Sequence, residues 1–322
     1  MNGDLLRELR KSVQNTDSFQ SLDEYFKVCD SFLNLLESEP TKITSPSHPN
    51  YIFYQYDETF NHTITRPINS NLFIGDKVEF EANIPILMDF LQDLKKEEDS
   101  IVNNAKWKDF IGSNTINNMV YTIQQSIGCI ADAFEIPNQA RKRQGQLFEN
   151  FIVQLIKKVG IKCAPRTINI PIPGYPDYKM SYELDLVFSR DSAILAAETP
   201  FIQQNEIVGS VKTTSKDRID KIFLDKFLLS KLIGRDIPVI AIFLHDVQRA
   251  STQKTSADKR KMFRINSTFK TGHFMGYTLA LNKLDGVYYV DPRPDMVSNG
   301  KLKEYISNFQ KFLVTDLWAF SE

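Results

Sequence analysis

The chain has 322 residues, of which 42% are hydrophobic and 25% are charged, and its formal net charge is −1. This composition is typical of a soluble globular protein with one large domain or two smaller ones. It excludes a membrane-spanning protein, because no window reaches ~18 unbroken apolar residues. The first residues lack the basic-then-apolar layout of a secretory signal, so we do not expect export.

The three cysteines, Cys29, Cys129 and Cys163, lie far apart in the sequence. Their spacing fits neither a disulfide framework nor a zinc site. We therefore expect a cytoplasmic protein in a reducing compartment.

The near-zero net charge hides an uneven distribution of charge. Residues 1–135 hold 11 Lys+Arg against 21 Asp+Glu, a net charge of −10, whereas residues 136–322 hold 28 against 19, a net charge of +9. A basic C-terminal half favours a polyanionic partner for that half. Attraction between the two halves is the alternative.

Helical periodicity dominates residues 1–135, with one extended run at 51–60. A helix is predicted over 84–100, and another follows Ser113 or Asn114, either of which could cap it. Nothing here has the spacing of a catalytic or metal motif. We predict a mainly helical N-terminal region, with an accessory, dimerisation or DNA-contact role.

The pattern changes after Pro137, where an amphipathic helix with basic first turns leads into strands. Strands are predicted over 167–189, 205–214 and 237–247, with a helix over 215–234 that ends at Gly234. Asp285-Gly286 predicts a hairpin turn, and a final helix is predicted over 300–313. The predicted fold class is therefore α/β, a central mixed sheet flanked by helices, and the second domain spans 136–322.

Four side chains of this half stand out: Glu149 in the amphipathic helix, Asp185 in an apolar strand, Lys212 at a strand end, and Asp225 in the next helix. An ionised aspartate in an apolar strand is costly unless it is paired or bound to metal. Asp225 shares its helix face with apolar residues and with Arg218. Two acids could hold Mg²⁺, and a lysine beside the attacking water would complete a site for phosphodiester hydrolysis.

Together, Glu149, Asp185 and Ser210-Val211-Lys212 resemble the core motif of the PD-(D/E)XK nucleases, the superfamily of most type II restriction endonucleases. The standard motif has an acid two residues before the lysine, where this chain has Ser210. The CCGG branch, which includes EcoRII, PspGI and NgoMIV, shares this departure and takes its acid from the following helix. The resemblance implies that Asp185 and Asp225 bind Mg²⁺, with Glu206 as a fallback ligand.

The branch also has an Arg-(Asp/Glu)-Arg cluster after its catalytic lysine, which reads a CC:GG half-site. Lys216, Asp217 and Arg218 stand in that register. Arg218 could donate two hydrogen bonds to guanine, and Asp217 could accept one from cytosine N4. The segment before Glu149 also resembles the branch, which implies phosphate contacts from Arg141, Lys142 and Arg143 and a base contact from Asn138 or Gln139.

The resemblance covers about residues 136–245 and implies a restriction endonuclease that cuts double-stranded DNA at a palindromic site. That site would contain CC/GG half-sites, and an interrupted, CCNGG-like form is one version. A homodimer is implied, with a tetramer left open. Two alternatives remain: a repair or recombination nuclease of the same fold, and a catalytically inactive DNA-binding regulator.

Overall fold

The computed structural model describes residues 2–37, 40–56, 65–97, 101–190, 202–216, 218–250 and 262–321. The chain forms two compact units that are not contiguous in sequence. The first comprises 1–90, 110–151 and 246–268, and the second 91–109, 152–245 and 269–322. The domain boundary between residues 135 and 136 stays a prediction.

Helices make up most of the chain before residue 160, as the apolar periodicity predicts. They are α1 (Asn2–Gln14), α2 (Leu22–Leu36), α3 (Lys77–Lys96), α4 (Lys108–Gly112), α5 (Thr115–Asp132) and α6 (Pro137–Lys158). A small antiparallel sheet, which the sequence shows only in part, comprises β1 (Thr41–Thr44), β2 (Tyr51–Gln55) and β3 (Ile68–Asn69). Asn114 precedes α5 with a positive φ of 60°, and its side chain makes no capping hydrogen bond.

The second half contains most of the strands. In chain order its elements are β4 (Lys162–Ile172), β5 (Tyr175–Ser189), β6 (Ile207–Thr214), α7 (Ile219–Ile233), β7 (Val239–His245), β8 (Val247–Arg249), β9 (Ile265–Ser267), α8 (Thr271–Ala280), β10 (Gly286–Tyr289), α9 (Pro294–Ser298), β11 (Ile306–Asn308), α10 (Phe309–Lys311) and α11 (Leu317–Ser321). Strands β8 and β9 pair with each other and belong to the first unit.

A six-stranded mixed sheet organises the second unit, in the order β11-β10-β7-β6-β5-β4. Strands β4, β5 and β6 pair antiparallel, whereas β6, β7, β10 and β11 run parallel. All seven residues of β7 are buried, as expected for an inner parallel strand. Helix α7 joins β6 to β7, and its Ile222, Phe223 and Leu229 pack into the core beside the sheet. This is the α/β architecture that the sequence predicts.

Helix α7 is shorter than predicted. It begins at Ile219 rather than Ser215, and it ends, as predicted, at Gly234, whose φ of 81° lies in the left-handed region that glycine adopts readily. Lys216 and Arg218 therefore precede the first turn of the helix. No helix in the described ranges is long and apolar enough to cross a bilayer.

The hairpin predicted at Asp285-Gly286 is wrong. Residues 271–280 form α8, and Gly286 opens β10, which pairs parallel with β7. The Asp285 side chain accepts a hydrogen bond from the N–H of Val239 at 2.7 Å, and its own N–H donates to the Val239 carbonyl at 2.9 Å. The Asp-Gly pair thus starts a strand beside β7 instead of reversing the chain.

The final helix predicted over 300–313 is wrong in its first part. The chain there has a short 3₁₀ turn at Leu302–Glu304 and then β11, which pairs parallel with β10. Helical structure begins only at Phe309, with α10 and a π-helical turn at Phe312–Asp316. Pairing with a preformed sheet edge outweighs the weak helical pattern of this segment.

Candidate active site

Asp185 lies where β5 separates from β6. The two strands pair from Phe188 to Leu186, one residue short of Asp185. At that point the Asp185 side chain, instead of a backbone carbonyl, accepts the hydrogen bond from β6: the N–H of Val211 donates to its Oδ2 at 2.8 Å. The carboxylate is thereby fixed between two strands of a rigid sheet.

Two side chains of β6 reach the same oxygen of Asp185. The Ser210 hydroxyl donates to Oδ2 at 3.0 Å, and the Lys212 ammonium forms an ion pair and hydrogen bond with it. Three donors converge on Oδ2, whereas Oδ1 accepts no hydrogen bond from the described residues. One oxygen is therefore held by the protein, and the other is open to a further partner.

Gly209 makes room for this arrangement. It pairs with Leu186, the neighbour of Asp185, and a Cβ at position 209 would lie 2.8 Å from the Leu186 Cγ. Leu186 is fully buried, so it has little space to withdraw. The close approach of β5 and β6 beside Asp185 thus requires glycine at 209.

Asp225 reaches the same site from helix α7. Its side chain is 32% exposed, and its Oδ2 lies 3.8 Å from the ammonium of Lys221, one turn earlier. Burial raises the pKa of Asp225, Lys221 counteracts that rise, the negative charge of Asp185 adds to it, and Lys212 opposes it. The two acids and Lys212 are therefore near enough to influence one another.

These residues line one cavity of about 90 Å³, enough for several water molecules. Of the residues predicted from the sequence, it includes Asp185, Ser210, Lys212, Arg218 and Asp225. It also includes Tyr182 and Lys226, which the sequence analysis did not single out. The spacing of apolar residues does not indicate a functional role for Tyr182 or Lys226, because both lie on faces whose pattern predicts a hydrophobic core.

The donor set fits Mg²⁺. The described residues contain no cluster of three or more His, Cys, Asp or Glu placed to hold a metal. Mg²⁺, however, usually takes one or two carboxylates and fills its remaining positions with water and substrate phosphate. Asp185 and Asp225 supply two such carboxylates in one cavity, and one oxygen of Asp185 is open.

Glu206, the fallback ligand, is engaged elsewhere. Both of its oxygens accept hydrogen bonds from the Arg166 guanidinium, and one also accepts the N–H of Gln203 at 2.9 Å. The side chains of Arg166 and Glu206 are only 2% and 0% exposed. Of the two acids considered for the second ligand, Asp225 lines the cavity and Glu206 forms a buried ion pair.

The basic cluster lies between β6 and α7. Lys216 and Arg218 are both exposed, and Arg218 occupies the position before the first helical residue and lines the cavity. Asp217, the acid predicted to read cytosine, lies outside the described residues. The position of Arg218 places a cation at the mouth of the site.

The remaining predicted residues lie on α6 in the first unit. Asn138, Gln139, Arg141 and Lys142 are exposed, and Arg143 and Glu149 are half-buried. Asn138 accepts a hydrogen bond from Arg141 at 3.4 Å, and Arg143 donates to Gln146 at 3.0 Å. The cavity belongs to the second unit, so the roles of these six residues in the site stay predictions.

Comparison with solved structures shows that the mixed sheet and its flanking helices form a restriction-endonuclease-like fold. The chain is similar to the type IIP restriction endonuclease Kpn2I, with a TM-score of 0.69 and 19% sequence identity over 99% of this chain and 98% of that one.

A second solved structure, restriction endonuclease PspGI in complex with substrate DNA, is similar with a TM-score of 0.42 and 13% identity. That similarity covers 75% of this chain and 95% of the other. No protein-family model and no curated protein matches the sequence.

Proposed function

We propose that this protein is a type II restriction endonuclease that hydrolyses double-stranded DNA in the presence of Mg²⁺. The observation that carries the proposal is the meeting of Asp185, Lys212 and Asp225 at one cavity on the sheet. The fold supports it, because it is similar to that of the type IIP restriction endonuclease Kpn2I.

In this proposal Asp185 and Asp225 hold the metal. When bound, Mg²⁺ would lower the pKa of a coordinated water and neutralise charge on the scissile phosphate. Ser210 and the N–H of Val211 keep the Asp185 carboxylate in place. Ser210 thereby supports the first acid at a position where the standard motif has an acid of its own.

Lys212 is the residue we assign to the attacking water. Its ammonium forms an ion pair with Asp185, which holds the Lys212 side chain in the lining of the cavity. A cation there orients the water and screens the negative phosphate as the attack proceeds. Glu149 is proposed to support the site from α6.

Sequence specificity is proposed to come from the cluster after β6. Arg218 and Lys216 are exposed and suited to guanine O6 and N7, and Asp217 is suited to cytosine N4. CC/GG half-sites, in a continuous or interrupted palindrome, are the sequences that such a cluster would read. The exposed cations Arg141 and Lys142, together with Arg143, would contact phosphates, and Asn138 or Gln139 a base edge.

A palindromic site is matched by a two-fold symmetric protein, so we propose that a homodimer binds the DNA. Each copy would then contact one half-site through the same residues.

The test is digestion of a plasmid library with the purified protein and Mg²⁺. Discrete fragments whose ends share a CC/GG-containing palindrome are the expected result. Random nicking would instead indicate a nuclease that reads DNA shape, and no cleavage with retained DNA binding would indicate an inactive regulator. Asp185→Asn serves as the matched control, since it keeps the shape of the side chain and removes its charge.

A further inference from the structure

Asp225 differs from Asp185 in how its position is fixed. Asp185 belongs to a strand and receives three hydrogen bonds, whereas the ion pair that Asp225 forms among the described residues is a long one, to Lys221 at 3.8 Å. Its distance from Asp185 therefore depends on how α7 is held against the sheet. A metal site shared between a strand and a helix needs a contact that fixes the helix.

The next residue, Lys226, makes that contact. Its side chain is 2% exposed, and its ammonium donates to Asp285 Oδ2 at 2.7 Å and to the Lys283 carbonyl at 2.8 Å. Asp236 Oδ2 lies 3.7 Å away. Burying a lysine side chain is costly unless its ammonium has such partners, so its position on α7 is closely determined.

Asp285 extends the contact into the sheet. The oxygen that accepts the Lys226 ammonium also accepts the N–H of Val239 at 2.7 Å, and the Asp285 N–H returns a hydrogen bond to Val239. Val239 opens β7 and pairs with Val208 of β6, the strand that carries Ser210 and Lys212. A continuous set of hydrogen bonds thus links α7, one residue from Asp225, to the two central strands.

We infer that Lys226 and Asp285 form a positioning pair that sets the place of Asp225 in the metal site. This inference rests on the proposed function. Lys226 and Asp285 are not among the charged residues that shift the pKa of Asp225. The pair therefore acts through the orientation of α7. Lys226 also lines the cavity, as Asp225 does.

The test compares Lys226→Met and Asp285→Asn with the wild-type protein and with Lys231→Met. Lys231 is an exposed cation on the same helix, so its replacement controls for a general change in helix charge. Mn²⁺ binding to the full chain is measured by electron paramagnetic resonance, and far-UV circular dichroism checks folding. Plasmid cleavage is then measured across a range of Mg²⁺ concentrations.

Loss of a residue that orients a metal ligand typically weakens metal binding ~10–100-fold. We expect both variants to weaken Mn²⁺ binding by roughly that factor and to raise the half-maximal Mg²⁺ concentration in parallel. Cleavage at saturating Mg²⁺ should largely recover, because the reacting groups are still present. A merely structural role would lower the amount of active protein without moving the Mg²⁺ requirement.

Mn²⁺ affinity within about twofold of wild type in a folded variant would overturn the positioning role. If Lys226→Met does not fold, Asp285→Asn decides, since its amide oxygen can still accept the Val239 N–H and the side chain at 285 is 28% exposed. Wild-type protein that neither binds Mn²⁺ nor cuts DNA would instead refute the proposed function itself.

Discussion

The carboxylates of Asp185 and Asp225 lie close enough for the charge of one to raise the pKa of the other. One acid comes from a strand and the other from the helix that follows the next strand, forty residues later in sequence. The two negative charges repel each other in this partly buried cavity, and Lys212 and Lys221 offset only part of the resulting rise in the pKa of Asp225. That unfavourable pairing gives the first prediction.

Asp225→Asn should stabilise the metal-free protein at pH 8. The pKa of Asp225 is raised in the folded state, so its contribution to stability is complete below the unfolded-state pKa and is lost as pH rises through the folded-state pKa. The gain should therefore shrink as the pH falls toward 4. Thermal unfolding in EDTA measures it, and a variant less stable than wild type at pH 8 would contradict the prediction.

The same substitution should remove cleavage. We expect Asp225→Asn to lower the cleavage rate more than ~100-fold, beyond the loss typical of a residue that only orients a ligand. Binding to cognate DNA in Ca²⁺ should remain measurable. Cleavage at the wild-type rate would show that the second metal ligand lies elsewhere.

Glu206→Ala should act on stability. The substitution leaves the buried Arg166 guanidinium without this carboxylate, which costs about 3–5 kcal/mol for a broken buried pair. Urea unfolding measures that loss. A variant that stays as stable as wild type but no longer binds Mn²⁺ would make Glu206, rather than Asp225, the ligand.

Lys212→Met should separate cleavage from binding. The ammonium is assigned to the attacking water, so its loss should slow cleavage by about 10²–10³-fold while DNA affinity changes little. Single-turnover cleavage and gel-shift titrations in Ca²⁺ provide the two numbers. Equal losses in both would indicate a phosphate contact only.

Arg218→Ala should reduce discrimination between cognate and random DNA. A bidentate contact to guanine is worth ~1–3 kcal/mol, and a dimer makes it twice, so the expected cost on the cognate site is about 2–6 kcal/mol. Random DNA, which is bound through phosphates, should be little affected. Arg141→Ala is the matched comparison, because a phosphate contact should weaken binding to both DNAs alike.

The sequence predicts strands β4 to β7 well, because apolar runs such as β7 have no other stable place than an inner strand. It misses the parallel pairing of β10 and predicts a helix where β11 lies. From spacing and from resemblance to known nucleases, the sequence also predicts that Asp185, Ser210, Lys212 and Asp225 share one site. In the structure all four line one cavity.

Long-range contacts limit what the sequence alone can predict. Asp285-Gly286 favours a local turn, but the hydrogen bonds between Asp285 and Val239 make it the start of a parallel strand. Lys226 lies on the apolar face of its helix, and the sequence does not indicate its partner Asp285, which is 59 residues away. Glu206 is likewise a possible metal ligand from its position in the sequence, but the structure shows it in a buried ion pair with Arg166.

The tight contact between Gly209 and Leu186 has an evolutionary consequence. A relative that carries a larger residue at the position of Gly209 should carry a smaller one at the position of Leu186, so the two positions should covary. Searches for distant relatives that extend the Ser-x-Lys pattern to Gly-Ser-x-Lys, and that weight this pair together, should separate true members from chance matches.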